Sequence, residues 1–228
     1  MTPPPLPDRR PTPMATRSKS SQRWLKEHFS DPFVKKAKSE GLRSRAAYKL
    51  EELVERDRLL KPGMVVVDLG AAPGGWSQWV RQEMERLWPK QPGRIVALDI
   101  LDMPGLAGVE FIHGDFREDA VLAQLESTLD GQVVDLVLSD MAPNMSGVDA
   151  VDLPRAMHLS ELAMDFADRH LRVEGTFLIK LFQGVGFDDY VRELRRRYAK
   201  VSIRKPAASR KRSPEVYALA QGKRATPT

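Results

Sequence analysis

Residues 65–79, Val-Val-Val-Asp-Leu-Gly-Ala-Ala-Pro-Gly-Gly-Trp-Ser-Gln-Trp, constrain the fold more than any other stretch of the chain. Three consecutive β-branched side chains read as a fully buried strand. Asp68 closes that strand with a carboxylate. Gly70, Pro73, Gly74 and Gly75 then force a tight turn, because glycine tolerates positive φ and close backbone approach. From Trp76 the pattern becomes helical. Strand, glycine-rich loop and helix make the first unit of a doubly wound α/β sheet, whose ligands bind beyond the carboxyl ends of the strands. The loop lacks the Lys-Ser/Thr of a phosphate loop, and Ala72 stands where dinucleotide spacing requires glycine. A carboxylate at this strand end suits a cationic or hydroxyl-bearing ligand better than a pyrophosphate.

The rest of the chain repeats the unit. Arg94–Asp99, Val109–His113 and Val133–Asp140 read as further strands, so Asp68, Asp99, Asp115 and Asp140 fall at the ends of consecutive strands. One such aspartate is often only a helix N-cap; four along one edge are hard to read that way. Helices are expected at Ala46–Arg58, Trp76–Leu87, Asp119–Leu129, Phe187–Arg197 and from an Asp152-Leu153-Pro154 start to His170. Thr176–Phe182 is an apolar strand interrupted by Lys180, a residue rarely buried without a role or a partner. Val201–Arg204 and Glu215–Ala220, joined only by a basic loop, suit an antiparallel edge hairpin. Alternating strands and helices predict a mostly parallel sheet with helices on both faces. Residues 1–20, with six prolines, are expected to be disordered; Met14 offers an alternative start. Residues 21–61 form a basic helical extension, 62–222 the main domain and 223–228 a loose tail.

The 228 residues suffice for one α/β domain with a sizeable core. With no cysteine, disulfides and thiolate-bound metals are excluded, and His28, His113, His158 and His170 lack ligand spacing, so no metal is expected. No 18-residue apolar run or signal-peptide core occurs, which predicts a cytoplasmic protein without a membrane span. Charge is segregated. Residues 1–61 carry 15 Lys/Arg against 8 Asp/Glu, residues 62–191 carry 9 against 21, and residues 192–228 carry 12 against 2. Basic flanks around an acidic centre fit a polyanion held beside a cationic ligand.

The wording D-L-G-A-A-P-G-G-W-S resembles the cofactor loop of the FtsJ/RrmJ family of S-adenosylmethionine (SAM)-dependent RNA ribose 2'-O-methyltransferases. R-S-R-A-A-Y-K-L, S-D-M-A-P-N-M-S-G, F-L-I-K-L-F-Q-G and S-R-K-R-S-P-E-V-Y extend the likeness from about Ser21 to Gly222. The Pro-rich N-terminus and the Trp88–Gln91 turn depart from the family pattern without touching these motifs. The resemblance implies a Rossmann-like methyltransferase fold with strand order 3-2-1-4-5-7-6. It also implies methylation of a uridine ribose in large-subunit ribosomal RNA, on the assembled subunit, by a monomer. The family's catalytic set falls on Lys49, Asp140, Lys180 and Glu215. Cofactor contacts fall on Asp68, Gly70, Ala71, Pro73, Gly74, Gly75, Trp76, Asp99, Ile100, Asp115, Phe116 and Asp140, with Asp99 facing the ribose and Asp115 the adenine amino group. Phosphate contacts are expected from Arg23, Lys35, Lys38, Arg43, Arg45, Arg196, Arg204, Arg210 and Arg212.

A 2'-hydroxyl must lose its proton while attacking a methyl group that the sulfonium already makes electrophilic. A buried lysine near a second ammonium is biased toward the neutral base. Lys180 could therefore take the proton, or stay charged and stabilise the alkoxide. A silent assembly factor of the same fold, or an enzyme acting on another RNA such as tRNA or a cap, are the alternatives.

Overall fold

The computed structural model describes residues 31–210 and 212–225. Seven strands form one sheet: β1 Val65–Leu69, β2 Arg94–Asp99, β3 Glu110–His113, β4 Val134–Ser139, β5 Leu171–Phe182, β6 Tyr198–Arg204 and β7 Glu215–Lys223. Among the described residues six helices follow in chain order: α1 Pro32–Ser39, α2 Ala47–Asp57, α3 Gly75–Leu87, α4 Asp119–Leu129, α5 Asp149–His170 and α6 Phe187–Arg197. The strand order is β3-β2-β1-β4-β5-β7-β6, as the family resemblance implies. Strands β1 to β5 pair in parallel, and β7 inserts antiparallel between β5 and β6.

Period-two alternation builds a core on each face. Val66, Ile95, Leu136, Leu178 and Leu219 meet Leu50, Leu53, Trp79 and Met84 of α2 and α3. Val67, Val96, Phe177, Ile179 and Ala218 meet Leu125, Phe166 and Leu194 of α4, α5 and α6. Helix α2 reaches the sheet because Leu50, Leu53 and Val54 recur at i, i+3 and i+4.

Several boundaries differ from the sequence expectation. Helix α5 begins at Asp149, so Pro154 lies inside it, and Asp152 does not cap it. The buried Asp152 carboxylate instead accepts from Ser146 N at 2.9 Å, Ser146 Oγ at 2.8 Å and Gly147 N at 2.9 Å, anchoring the preceding loop. Strand β5 starts at Leu171 and passes through a bulge, with Glu174 at φ 65°, where a turn is expected. Strand β7 runs on to Lys223, whose buried ammonium donates to the carbonyls of Asp168 and Leu171.

Candidate active site

The carboxyl ends of β1, β2 and β4 open onto a cavity of about 590 Å³. Gly70, Ala72, Asp99, Ile100, Asp115, Phe116 and Asp140 line it, together with Leu98, Met141, Pro143 and Asn144. Asp99 fastens two walls at once: Oδ2 accepts from Ala72 N at 2.9 Å and Oδ1 from Leu101 N at 2.7 Å. Each oxygen keeps a second lone pair for a ligand hydroxyl. Asp115 pairs with Arg117 at 2.6 Å, and that hydrogen-bonded guanidinium holds its carboxyl below the usual Asp value.

The other expected cofactor residues stand behind this wall. Asp68 is fully buried; Ser77 Oγ donates to its Oδ2 at 2.6 Å, and Oδ1 has no partner among the described residues. Burial, reinforced by the charges of Asp140 and Asp99 and opposed by Ser77, pushes its carboxyl up to about 7. Ala71, Pro73, Gly74, Gly75 and Trp76 do not line the cavity. The glycines have other neighbours. A Cβ on Gly70 would stand 2.8 Å from Met141 N, one on Gly74 2.9 Å from Arg43 Nη1, and one on Gly75 2.8 Å from Ser44 Cβ. Trp76 donates to Ala46 O at 2.8 Å and packs on Tyr217, with ring centroids 5.8 Å apart.

Beside the cavity, the antiparallel register sets Lys180 opposite Tyr217 and Phe182 opposite Glu215. Alternation turns Lys180, Tyr217 and Glu215 toward the face that α2 covers, and α2 brings Lys49 to them. Asp140 follows β4, whose Ser139 pairs with Ile179, and so meets Lys180. One hydrogen-bonded chain results. Lys180 Nζ donates to the Asp140 carbonyl and lies 3.1 Å from its Oδ1. Tyr217 donates to that same Oδ1 at 2.9 Å and accepts from Lys49 Nζ at 3.2 Å. Lys49 in turn pairs with Glu215 at 2.6 Å. Burial disfavours an ionised Glu215, but the charge and hydrogen bond of Lys49, with the charge of Lys180, bring its carboxyl below the ordinary value. Tyr217 is fully buried, and burial together with Asp140 and Glu215 raises its phenol well above 10, so it remains a neutral donor. The expected set of Lys49, Asp140, Lys180 and Glu215 is thus brought together, with Tyr217 as a link that sequence reasoning missed. Its signal was present: in Glu215-Val216-Tyr217, alternation sends residues 215 and 217 to one face. Arg117, Arg155 and His158, which also line the cavity, were missed as well; Arg155 and His158 share an i, i+3 spacing on α5.

The expected phosphate contacts divide. Arg23 lies outside the described residues. Lys35, Lys38, Arg196 and Arg212 are exposed, Arg196 with Glu193 at 3.3 Å. Arg204 is drawn into an ion pair with Asp57 at 3.0 Å. Arg45 pairs with Asp31 and donates to the Ala208 carbonyl, while burial and the neighbouring Arg210 lower its pKa. Arg43 is not a free surface charge; its guanidinium is spent on backbone carbonyls. A second cavity of about 450 Å³ gathers Arg45, Lys49, Arg210, Arg212, Ser213 and Glu215.

The sheet order that the resemblance implies thus carries an acidic cavity at its strand ends, joined to a lysine–carboxylate–tyrosine chain. The FtsJ-like methyltransferase family model matches residues 42–223, spanning both parts of the site. The chain belongs to the FtsJ-like methyltransferase family. Among its relatives, proteins named ribosomal RNA large subunit methyltransferase E are 78% identical over 212 residues in Stenotrophomonas maltophilia (strain K279a), covering 93% of this chain and 99% of that one. In Xanthomonas oryzae pv. oryzae (strain PXO99A) the identity is 77% over 211 residues, covering 92% and 98%. A solved structure named as a ribosomal RNA methyltransferase from Plasmodium falciparum matches with a TM-score of 0.70 at 26% identity, over 79% of this chain and 98% of that one. Human methyltransferase-like protein 13, solved with SAH, shares the fold with a TM-score of 0.50 at 16% identity, over 79% and 83%.

Proposed function

We propose that this FtsJ-like methyltransferase moves a methyl group from SAM to the 2'-oxygen of a uridine ribose in large-subunit ribosomal RNA. The acceptor is the assembled large subunit, and the enzyme works as a cytoplasmic monomer. The observation that carries the reading is the Lys180–Asp140–Tyr217–Lys49–Glu215 chain, running from the acidic cavity to the arginine-lined one.

The first cavity fits SAM by its chemistry. Asp99, Asp115 and Asp140 offer carboxylates to a cationic ligand, while Leu98, Ile100 and Phe116 offer apolar surface to an adenine ring. Asp99 would accept from ribose hydroxyls and Asp115 from the adenine amino group. Met141 and Asn144 would close the wall nearest Asp140. When bound, SAM supplies an electrophilic methyl carbon on a sulfonium leaving group.

The chain's own residues then supply position and one proton acceptor. Lys180 spends two positions on the Asp140 carbonyl and carboxylate. Those two bonds leave the third position of Nζ for the attacking hydroxyl. Asp140 fixes Lys180, and Tyr217 fixes Asp140. Lys49 and Glu215, facing the second cavity, orient the target ribose, while the crowded charges of Arg45 and Arg210 welcome its phosphate. The large-subunit RNA substrate takes its support from the names of the relatives and from these basic flanks.

Calorimetric titration tests the cofactor assignment. The wild-type protein should bind SAM, and Asp99→Ala should weaken binding by about 1.5–3 kcal/mol, because ribose hydroxyls lose an ionised acceptor and two loop N–H groups lose theirs. Unchanged affinity in Asp99→Ala would remove Asp99 from the cofactor site.

A further inference from the structure

Arg43 is expected from sequence to hold a phosphate, yet its guanidinium faces the back of the cofactor cavity. Nη1 donates to Pro104 O at 2.7 Å and more loosely to Pro73 O at 3.4 Å, and Nη2 donates to Gly105 O at 2.7 Å. Those carbonyls belong to two loops, the glycine-rich one after β1 and the one after β2. The same loops supply Gly70, Ala72, Ile100 and Leu101 to the cavity wall. On the inner side they are joined by the Asp99 carboxylate, through Ala72 N and Leu101 N. On the outer side they are joined by Arg43.

The segment carrying Arg43 is itself seated firmly. Gln78 of α3 accepts from Arg43 N at 2.8 Å through Oε1 and donates to Gly41 O at 2.9 Å through Nε2. Gly74, at φ +100°, has the guanidinium where a Cβ would go, with Nη1 at 2.9 Å and Cδ at 3.1 Å; Gly75 has Ser44 Cβ at 2.8 Å. The last two glycines of the loop therefore admit the N-terminal extension rather than the ligand.

We propose that Arg43 is a positioning residue for the cofactor, which spans the two loops from outside and fixes the width of the SAM cavity, and that it is not a phosphate contact. Planarity suits arginine to this task. A rigid fork reaches separate carbonyls at once, whereas a lysine ammonium is a single point. The inference rests on the SAM reading above. If the wild-type protein bound no SAM, that reading would fail; if the wild type bound SAM and the Arg43 variants bound it equally well, this inference alone would fail.

The test is SAM calorimetry with steady-state kinetics and RNA binding at several salt concentrations, on the full chain. Arg43→Ala should weaken SAM affinity about tenfold and raise KM for SAM in step, with kcat at saturating SAM within about threefold of wild type. RNA affinity and the slope of its salt dependence should not change. Arg43→Lys should not restore SAM affinity. Gln78→Ala, which leaves the guanidinium in place and frees its backbone anchor, should shift SAM affinity the same way by a smaller factor, and it carries the test if Arg43→Ala does not fold. The proposal is overturned if these variants bind SAM normally, if lysine rescues fully, or if RNA affinity falls with a salt slope reduced by about one.

Discussion

Replacing Tyr217 by phenylalanine removes one oxygen from the centre of the polar chain and leaves the ring on Trp76, whose centroid is 5.8 Å away. That oxygen makes two bonds to charged partners, donating to Asp140 at 2.9 Å and accepting from Lys49 at 3.2 Å. Hydrogen bonds to charged groups are worth about 1.5–3 kcal/mol each. Both partners keep another contact, however: Asp140 keeps Lys180 and Lys49 keeps Glu215. The net cost should therefore be close to one such bond, about 1.5–3 kcal/mol rather than twice that. In a chain of this length about 2–4 °C of Tm is lost per kcal/mol, so a fall of about 3–12 °C is expected. Activity should suffer more than folding does. Asp140 loses the donor that fixes its carboxylate, and Lys180 is aligned by that carboxylate, so single-turnover methyl transfer should drop about 10- to 100-fold with SAM affinity little changed. Thermal unfolding, SAM calorimetry and rapid-quench methyl transfer on the same preparation read the three quantities. A Tyr217→Phe protein with unchanged Tm and turnover within twofold of wild type would show that the bridge drawn by these distances carries nothing.

Three further outcomes follow from the same geometry. Lys180→Ala should fold, bind SAM and lose at least about 100-fold in single-turnover transfer, and Lys180→Arg should not recover it, since arginine stays protonated; near-normal turnover in Lys180→Arg would make Lys180 a fixed positive charge instead of a base. Asp68 has its carboxyl raised to about 7, chiefly by burial, so the folded state holds a proton that the unfolded state releases above the ordinary Asp value. Its contribution to stability is full at low pH and is lost as pH rises from about 4 to about 7. Asp68→Asn should consequently gain on wild type across that window in urea unfolding, and a difference independent of pH would contradict the burial argument. Charge reversal at Arg210 and Arg212, which line the second cavity, should weaken RNA binding and flatten its salt dependence while sparing SAM binding; RNA affinity unmoved by salt or by these changes would sink the basic-flank reading.

Much of this architecture is legible in the residues because the strong signals are local. Val65-Val66-Val67 before a glycine loop and a helical pattern reads as a strand-to-helix turn from neighbouring residues alone, and β1 and α3 lie where that pattern puts them. The aspartates that end strands collect at one edge because a parallel sheet collects all its carboxyl ends there. What escapes a local reading are side chains that serve another segment. Asp152 looks like a cap for its own helix, but its carboxylate is taken by Ser146 and Gly147 of the loop before it. Arg43 and Arg45 are neighbours in a basic run, and charge alone cannot tell which faces RNA. Only the packed fold shows Arg43 turned onto Pro104 and Gly105, and Arg45 beside Arg210. Gly74 and Gly75 read as room for a ligand, while the space they leave is filled by Arg43 and Ser44. Tyr217 lay within reach of the alternation rule, but its role depends on register: it becomes the bridge because β7 pairs with β5 so that residue 217 faces Lys180.

The central claim is that the methyl group arrives on a ribose oxygen of large-subunit RNA. It is tested most directly by incubating the protein with methyl-labelled SAM and large ribosomal subunits that lack the modification, then digesting the RNA in alkali. A 2'-O-methyl group blocks cleavage at its own phosphodiester, so the account predicts label in an alkali-resistant dinucleotide with uridine as the modified member, and none with the Lys180→Ala protein. Label released in mononucleotides, which would place the methyl on a base, or no transfer to the subunits at all, would contradict it.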